Sequence, residues 1–168
     1  MKDKKTSRIA RAASAKAPAR KTPTRRILVA DDNSDIRRLN VEVLVKSGYE
    51  VDAAEDGAAA WYNLQLKRYD HLITDHDMPH VTGFELLKKL RAARMALPVI
   101  MAAETLPQDE FASCPWIRPS ITLLHPYTTE EVLETVEGVL QAAWSATEEK
   151  RTQASRQYQS NNEGWLLL

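Results

Sequence analysis

Five short apolar runs constrain the fold of this chain more tightly than any other feature. RILVA (26–30), YEVDAA (49–54), YDHLITD (69–75), LPVIMAA (97–103) and ITLLHP (121–126) are separated by stretches with mostly helical spacing. A run of about four to eight apolar residues bounded by turn residues reads as a strand buried on both faces. Such strands, alternating with amphipathic helices, require a parallel sheet covered on both sides with right-handed crossovers. The expectation is a doubly wound α/β domain, in which ligands sit beyond the carboxyl ends of the strands.

The intervening segments fit that scheme. SDIRRLNVEVLVKSG offers Ser34 as an N-cap, Ile36, Leu39, Val43 and Leu44 for one face, and Gly48 as a stop. GAAAWYNLQLKR and FELLKKLRAARM supply the second and third helices, and TTEEVLETVEGVLQAAW closes the domain. Between the fourth and fifth runs, Pro107 suits a first helical turn, but Pro115 and Pro119 forbid a long helix. A short helix near 107–113 followed by irregular backbone is expected.

Charge divides the chain. Residues 1–26 carry ten Lys or Arg against the single acid Asp3, which leaves 13 basic and 22 acidic residues in the remainder. In residues 1–24 only Ile9 is large and apolar, too little to offset the entropy of ordering, so a disordered basic tail is expected. Such a tail is a solubilising segment or a nonspecific nucleic-acid contact. Residues 146–168 are polar until GWLLL and are expected to form a flexible C-terminal tail, leaving 25–145 as the domain. The lone Cys114 rules out an internal disulfide, and no run is long enough to span a bilayer. A cytoplasmic protein without membrane contact is the expectation.

The candidate chemistry lies where strands end. The first run ends in Asp31 and Asp32, the third in Asp75, with Asp77 two residues on. If these strands are neighbours, the carboxylates repel one another, and a hard divalent cation such as Mg²⁺ relieves the conflict. The stretch HLITDHDMPH also suggests a histidine metal site. Yet His71 opens a strand that Asp75 closes, about 13 Å away along extended chain. His76 and His80 follow in the loop without a fourth ligand at suitable spacing. A solvent-facing His76 flanking the aspartate pocket is the better expectation.

ILVADDN, HLITDHDMPHVTGFELLKKLR, LPVIMAAE and LLHPYT resemble the receiver domain of two-component response regulators, over about residues 25–144. The most specific element is the spacing of Asp75, Met78, Pro79 and Gly83. The resemblance implies a flavodoxin-like (βα)5 domain with strand order 2-1-3-4-5, standing alone without an output domain. It implies that Asp75 is a phosphoacceptor taking a phosphoryl group from a sensor histidine kinase or phosphotransfer protein. Mg²⁺ would be held directly by Asp32 and Asp75, largely through water by Asp31, and by the backbone carbonyl of Asp77. Thr105 would flank the same pocket. A protein with no catalytic turnover of its own, signalling to a downstream protein and capable of homodimerising, is the implied role.

Three positions depart from the family pattern. Ala103 stands where a Ser or Thr hydroxyl is usual, His125 where Lys precedes Pro, and Thr122 where an aromatic residue is usual. Ala103 cannot donate a hydrogen bond to a phosphoryl group, a bond worth about 1.5–3 kcal/mol when one partner is charged. At 125 an imidazole replaces a longer, permanently charged ammonium group. Two readings follow: a phosphorylated regulator read out through unusual surfaces, or a receiver-like scaffold whose output ignores phosphorylation.

Overall fold

The computed structural model describes residues 24–105 and 108–163. The basic segment, except Thr24, and the terminal GWLLL lie outside the described residues. Ten elements alternate: β1 Arg26–Ala30, α1 Ser34–Lys46, β2 Glu50–Ala54, α2 Gly57–Leu66, β3 His71–Asp75, α3 Gly83–Ala92, β4 Val99–Ala103, α4 Gln108–Ser113, β5 Ile121–Leu124 and α5 Thr129–Glu163. The strands form one parallel sheet in the order β2-β1-β3-β4-β5. This is the flavodoxin-like arrangement expected from the sequence.

Position in the sheet explains the texture of each run. β1, β3 and β4 are interior, and from Ile27 to Ala30, His71 to Thr74 and Val99 to Ala103 every residue is buried. β2 and β5 are edges and remain half exposed, with Ile121 and Leu124 open to solvent. Side chains alternate across the sheet. Leu28, Leu72 and Met101 face α2 and α3, where they meet Leu86, Leu87 and Leu90. Ile27, Val29, Ile73 and Ile100 face α1 and α5, where they meet Leu44, Val132, Val136 and Val139. Truncating one of these fully buried leucines to alanine costs about 2–5 kcal/mol, because the transfer energy is lost and a cavity remains.

The helices correct the sequence reading in three places. Asn33, not Ser34, caps α1, its side chain accepting from the backbone N–H groups of Asp35 and Ile36. Leu39 is 52% exposed, and Asn40 takes the core-facing position one turn before Leu44. A polar residue is tolerated there because its amide donates to the Tyr127 hydroxyl at 3.1 Å. Finally, α5 does not fray at residue 146 but continues to Glu163. The sequence from 145 to 163 has no Gly or Pro to stop a helix, and Glu148 and Arg151 pair one turn apart. The short α4 and the irregular backbone after it match the expectation from the prolines.

Candidate functional site

Register brings the strand ends together. Ala30 of β1 lies opposite Thr74 of β3, so Asp31 and Asp75, each one residue further, stand side by side. Asp75 in turn lies opposite Ala102 of β4, and Ala103 opposite Leu124 of β5, one residue before His125. Asp31, Asp75, Ala103 and His125 therefore line one rim of the sheet.

Asp31 is 4% exposed, and its Oδ1 accepts from the backbone N–H of Asn33 at 2.9 Å. Burial pushes its pKa up from the ordinary carboxylate range to about 6, and the nearby carboxylates of Asp75 and Asp32 add to this. The Asn33 N–H and His125 pull the other way. Asp32 is exposed. The Arg37 guanidinium donates to the backbone carbonyls of Asp31 and Asp32, fixing the chain that carries both carboxylates.

Asp75 is held from two sides. Its Oδ2 accepts from the backbone N–H of Asp77 at 2.8 Å, and its Oδ1 lies 3.3 Å from His125 Nε2. His125 rests against Tyr127, ring centroids 4.7 Å apart, and Tyr127 carries the bond from Asn40. A line from Asn40 through Tyr127 and His125 thus orients the imidazole on Asp75. Burial raises the Tyr127 pKa, so the phenol stays protonated near neutrality. Among the described residues no Lys or Arg makes an ion pair with the carboxylates of Asp31, Asp32 or Asp75. Among the described residues, His125 is the basic side chain that reaches them, through Asp75 Oδ1.

The loop after Asp75 explains the spacing that follows it. Met78 is buried in the α2–α3 layer and anchors the loop. His80 adopts a left-handed conformation with φ 64°. Thr82 caps α3 and forms a reciprocal pair with Glu85. Gly83 must be glycine, because a Cβ there would stand 2.3 Å from the Asp75 carbonyl oxygen. The helix thus starts directly against the end of β3.

The remaining candidates are placed as follows. Ala103 is buried, and its carbonyl accepts from the His125 N–H at 3.0 Å. Thr122 is half-buried on the edge strand, and Thr105 is exposed in the bend after β4. His76 is not solvent-facing. Its side chain is only 15% exposed and points to α4, with Nε2 3.5 Å from Glu110 Oε2 and 3.8 Å from Asp77 Oδ1. His71 lies at the opposite end of β3, fully buried, with neither ring nitrogen partnered. In and after α4, Phe111 packs on Phe84, Ile117 is in the core and Trp116 is exposed. Sequence reasoning missed Tyr127, Asn40 and Arg37. The Tyr two residues beyond His125 was the only local signal, because the other contacts join distant segments.

Among the described residues no three His, Cys, Asp or Glu side chains converge to hold a metal unaided. The site offers hard oxygen donors instead, the carboxylates of Asp31, Asp32 and Asp75. That donor set fits Mg²⁺, which keeps several waters and takes one or two carboxylates. The raised pKa of Asp31 is the matching sign, since a nearby cation would favour the charged form. A cleft lies elsewhere, at the amino end of the sheet, lined by Arg25, Tyr69, Leu97 and Trp144 among others.

Comparison with known proteins places this geometry. Residues 27–137 match the response regulator receiver domain family. The response regulator receiver protein CpdR of Brucella abortus is 32% identical over 123 residues, covering 71% of this chain and 99% of CpdR. The sensor protein EvgS of Escherichia coli O157:H7 is 47% identical over 73 residues, which are 44% of this chain but only 6% of EvgS. The structure of TrrA, a response regulator protein of Thermotoga maritima in complex with Mg²⁺-BeF, superposes with a TM-score of 0.60 at 29% identity, covering 69% of this chain and 99% of TrrA. With most of its length matched and a relative covered nearly end to end, the chain belongs to the response regulator receiver domain family of two-component systems.

Proposed function

We propose that Asp75 accepts a phosphoryl group from the phosphohistidine of a sensor histidine kinase or phosphotransfer protein, and that the chain signals through protein contacts rather than through catalysis of its own. The observation that carries this reading is the convergence of Asp31 and Asp75 at adjacent strand ends without a Lys or Arg ion pair. Such a cluster is costly to keep unless a cation and a transferring group use it.

In the transfer, a carboxylate oxygen of Asp75 attacks phosphorus and the P–O bond forms as the P–N bond breaks. The leaving imidazole takes the electron pair and is protonated. The Asp77 N–H holds one carboxylate oxygen, so the side chain meets the donor in a fixed orientation. His125 stands beside the other and supplies a donor to the phosphoryl oxygens. Asp31, Asp32, Asp75 and the Asp77 carbonyl would hold Mg²⁺, which when bound neutralises charge on the transferring group. The Mg²⁺-BeF complex of TrrA supports that assignment by analogy.

Incubation with acetyl phosphate and Mg²⁺ tests the reading by intact mass. The wild type should take one phosphoryl group, lose the ability when Mg²⁺ is chelated, and fail as Asp75→Ala. No adduct on the wild type, or one that survives Asp75→Ala, overturns it. The second reading, a scaffold indifferent to phosphorylation, draws on the buried methyl of Ala103 where a hydroxyl would bind the phosphoryl group.

A further inference from the structure

His76 occupies an unusual position: its backbone is fixed at the reactive strand end while its side chain bears on a different element. Its N–H donates to the Ala102 carbonyl of β4 at 2.8 Å, and its carbonyl accepts from the Gly83 N–H of α3 at 2.9 Å. It directly follows Asp75, so any displacement of that carboxylate reaches it through one peptide unit. The imidazole is turned away from solvent, 3.5 Å from Glu110 Oε2.

That contact is close but not satisfied. His76 Nδ1 and Glu110 Oε2 are both shut off from solvent without a hydrogen-bond partner. Buried polar atoms are nearly always paired, and an unpaired one marks a place where a small movement gains energy. The element on the other side is poorly secured. α4 is six residues long and has no buried residue, and beyond Glu110 its anchor to α3 is the tilted Phe111–Phe84 pair at 5.9 Å. A weakly held helix therefore rests on an unsatisfied polar contact one residue from the acceptor. Ala103, which ends the neighbouring strand, has no polar group that could perform the same task.

We propose that His76 and Glu110 are a transmission pair that couples the charge state of Asp75 to the position of α4. His76 is a positioning residue in this scheme. A phosphoryl group on Asp75 adds negative charge beside His76, draws the imidazole toward it and leaves the Glu110 carboxylate unpaired and repelled. α4 then loosens from the loop, and its exposed surface changes. This inference rests on the reading that Asp75 takes a phosphoryl group, and it adds where the signal goes next.

Hydrogen exchange over α4 in the full chain, with and without acetyl phosphate and Mg²⁺, tests it while intact mass reports occupancy separately. In the wild type, amides of 108–113 should exchange severalfold faster once Asp75 is phosphorylated. Glu110→Gln should still take the label but lose most of that difference. His76→Ala, compared at equal occupancy, should lose it too, and the double variant should lose no more than either single one. Protection of β1 and β3 amides verifies that each variant is folded. If His76→Ala is not folded, Glu110→Gln carries the test alone. A wild-type α4 that does not respond, or one that responds equally in the variants, overturns the transmission pair while leaving phosphorylation intact. Absence of label on the wild type overturns the underlying reading instead, and the inference falls with it.

Discussion

Replacing His71 with leucine should stabilise the protein and flatten its acid sensitivity. His71 is fully buried at the start of β3, and neither ring nitrogen has a partner. A buried polar group left unsatisfied costs about 1–3 kcal/mol, and leucine removes it at similar volume. Burial also depresses the His71 pKa from 6.5 to about 4. Between those values the unfolded chain binds a proton at this position and the folded chain does not, so stability falls as pH falls through the window. From about pH 7.5 to about pH 5.5 the loss from this one group comes to about 1.4 kcal/mol, one pKa unit of differential binding. Urea unfolding of wild type and His71→Leu at the two pH values isolates the effect, because all other titrations occur in both proteins. The advantage of the variant should widen by about 1.4 kcal/mol on acidification. A difference that stays constant with pH, or a destabilised variant, would refute a neutral imidazole enclosed without partners.

Asp31 gives the opposite slope. Its folded pKa, raised to about 6, makes the folded chain bind a proton more tightly than the unfolded one, so its contribution weakens as pH rises from about 4 to 6. Asp31→Asn should remove that trend in urea titrations and should reduce thermal stabilisation by Mg²⁺; an unchanged Mg²⁺ response contradicts the proposed site. Gly83→Ala forces a methyl against the Asp75 carbonyl and should cost about 1–3 kcal/mol in urea unfolding while slowing phosphorylation. Equal stability and rate would mean that α3 shifts freely. Deletion of residues 1–24, which hold most of the excess positive charge, should abolish salt-dependent binding of the full chain to duplex DNA. Binding that persists after deletion dismisses a nucleic-acid contact by that segment.

How far the sequence could be read followed the range of the forces involved. The three interior strands were legible because burial on both faces writes an unbroken apolar run, and their order places the aspartates at one rim. Helix phase was less legible. Leu39 looked like a core residue and Asn40 did not, because the partner that satisfies Asn40 is Tyr127, in a segment far along the chain. His76 is illegible for the same reason: nothing near it in sequence signals Glu110, which belongs to α4. The continuation of α5 is hard to read because the stretch is polar, although it lacks any residue that stops a helix. Local propensity and periodicity can be read from the chain, whereas pairings between distant polar side chains need the fold.

Borohydride trapping of the phosphorylated protein identifies the acceptor residue itself. Reduction of an aspartyl phosphate converts the modified side chain to homoserine, and peptide mass mapping then names the residue. Homoserine is expected at position 75 alone, formed only when Mg²⁺ and the phosphodonor are both present. Reduction at Asp31, Asp32 or Asp77, or none at all in a protein that carries the label, would contradict it.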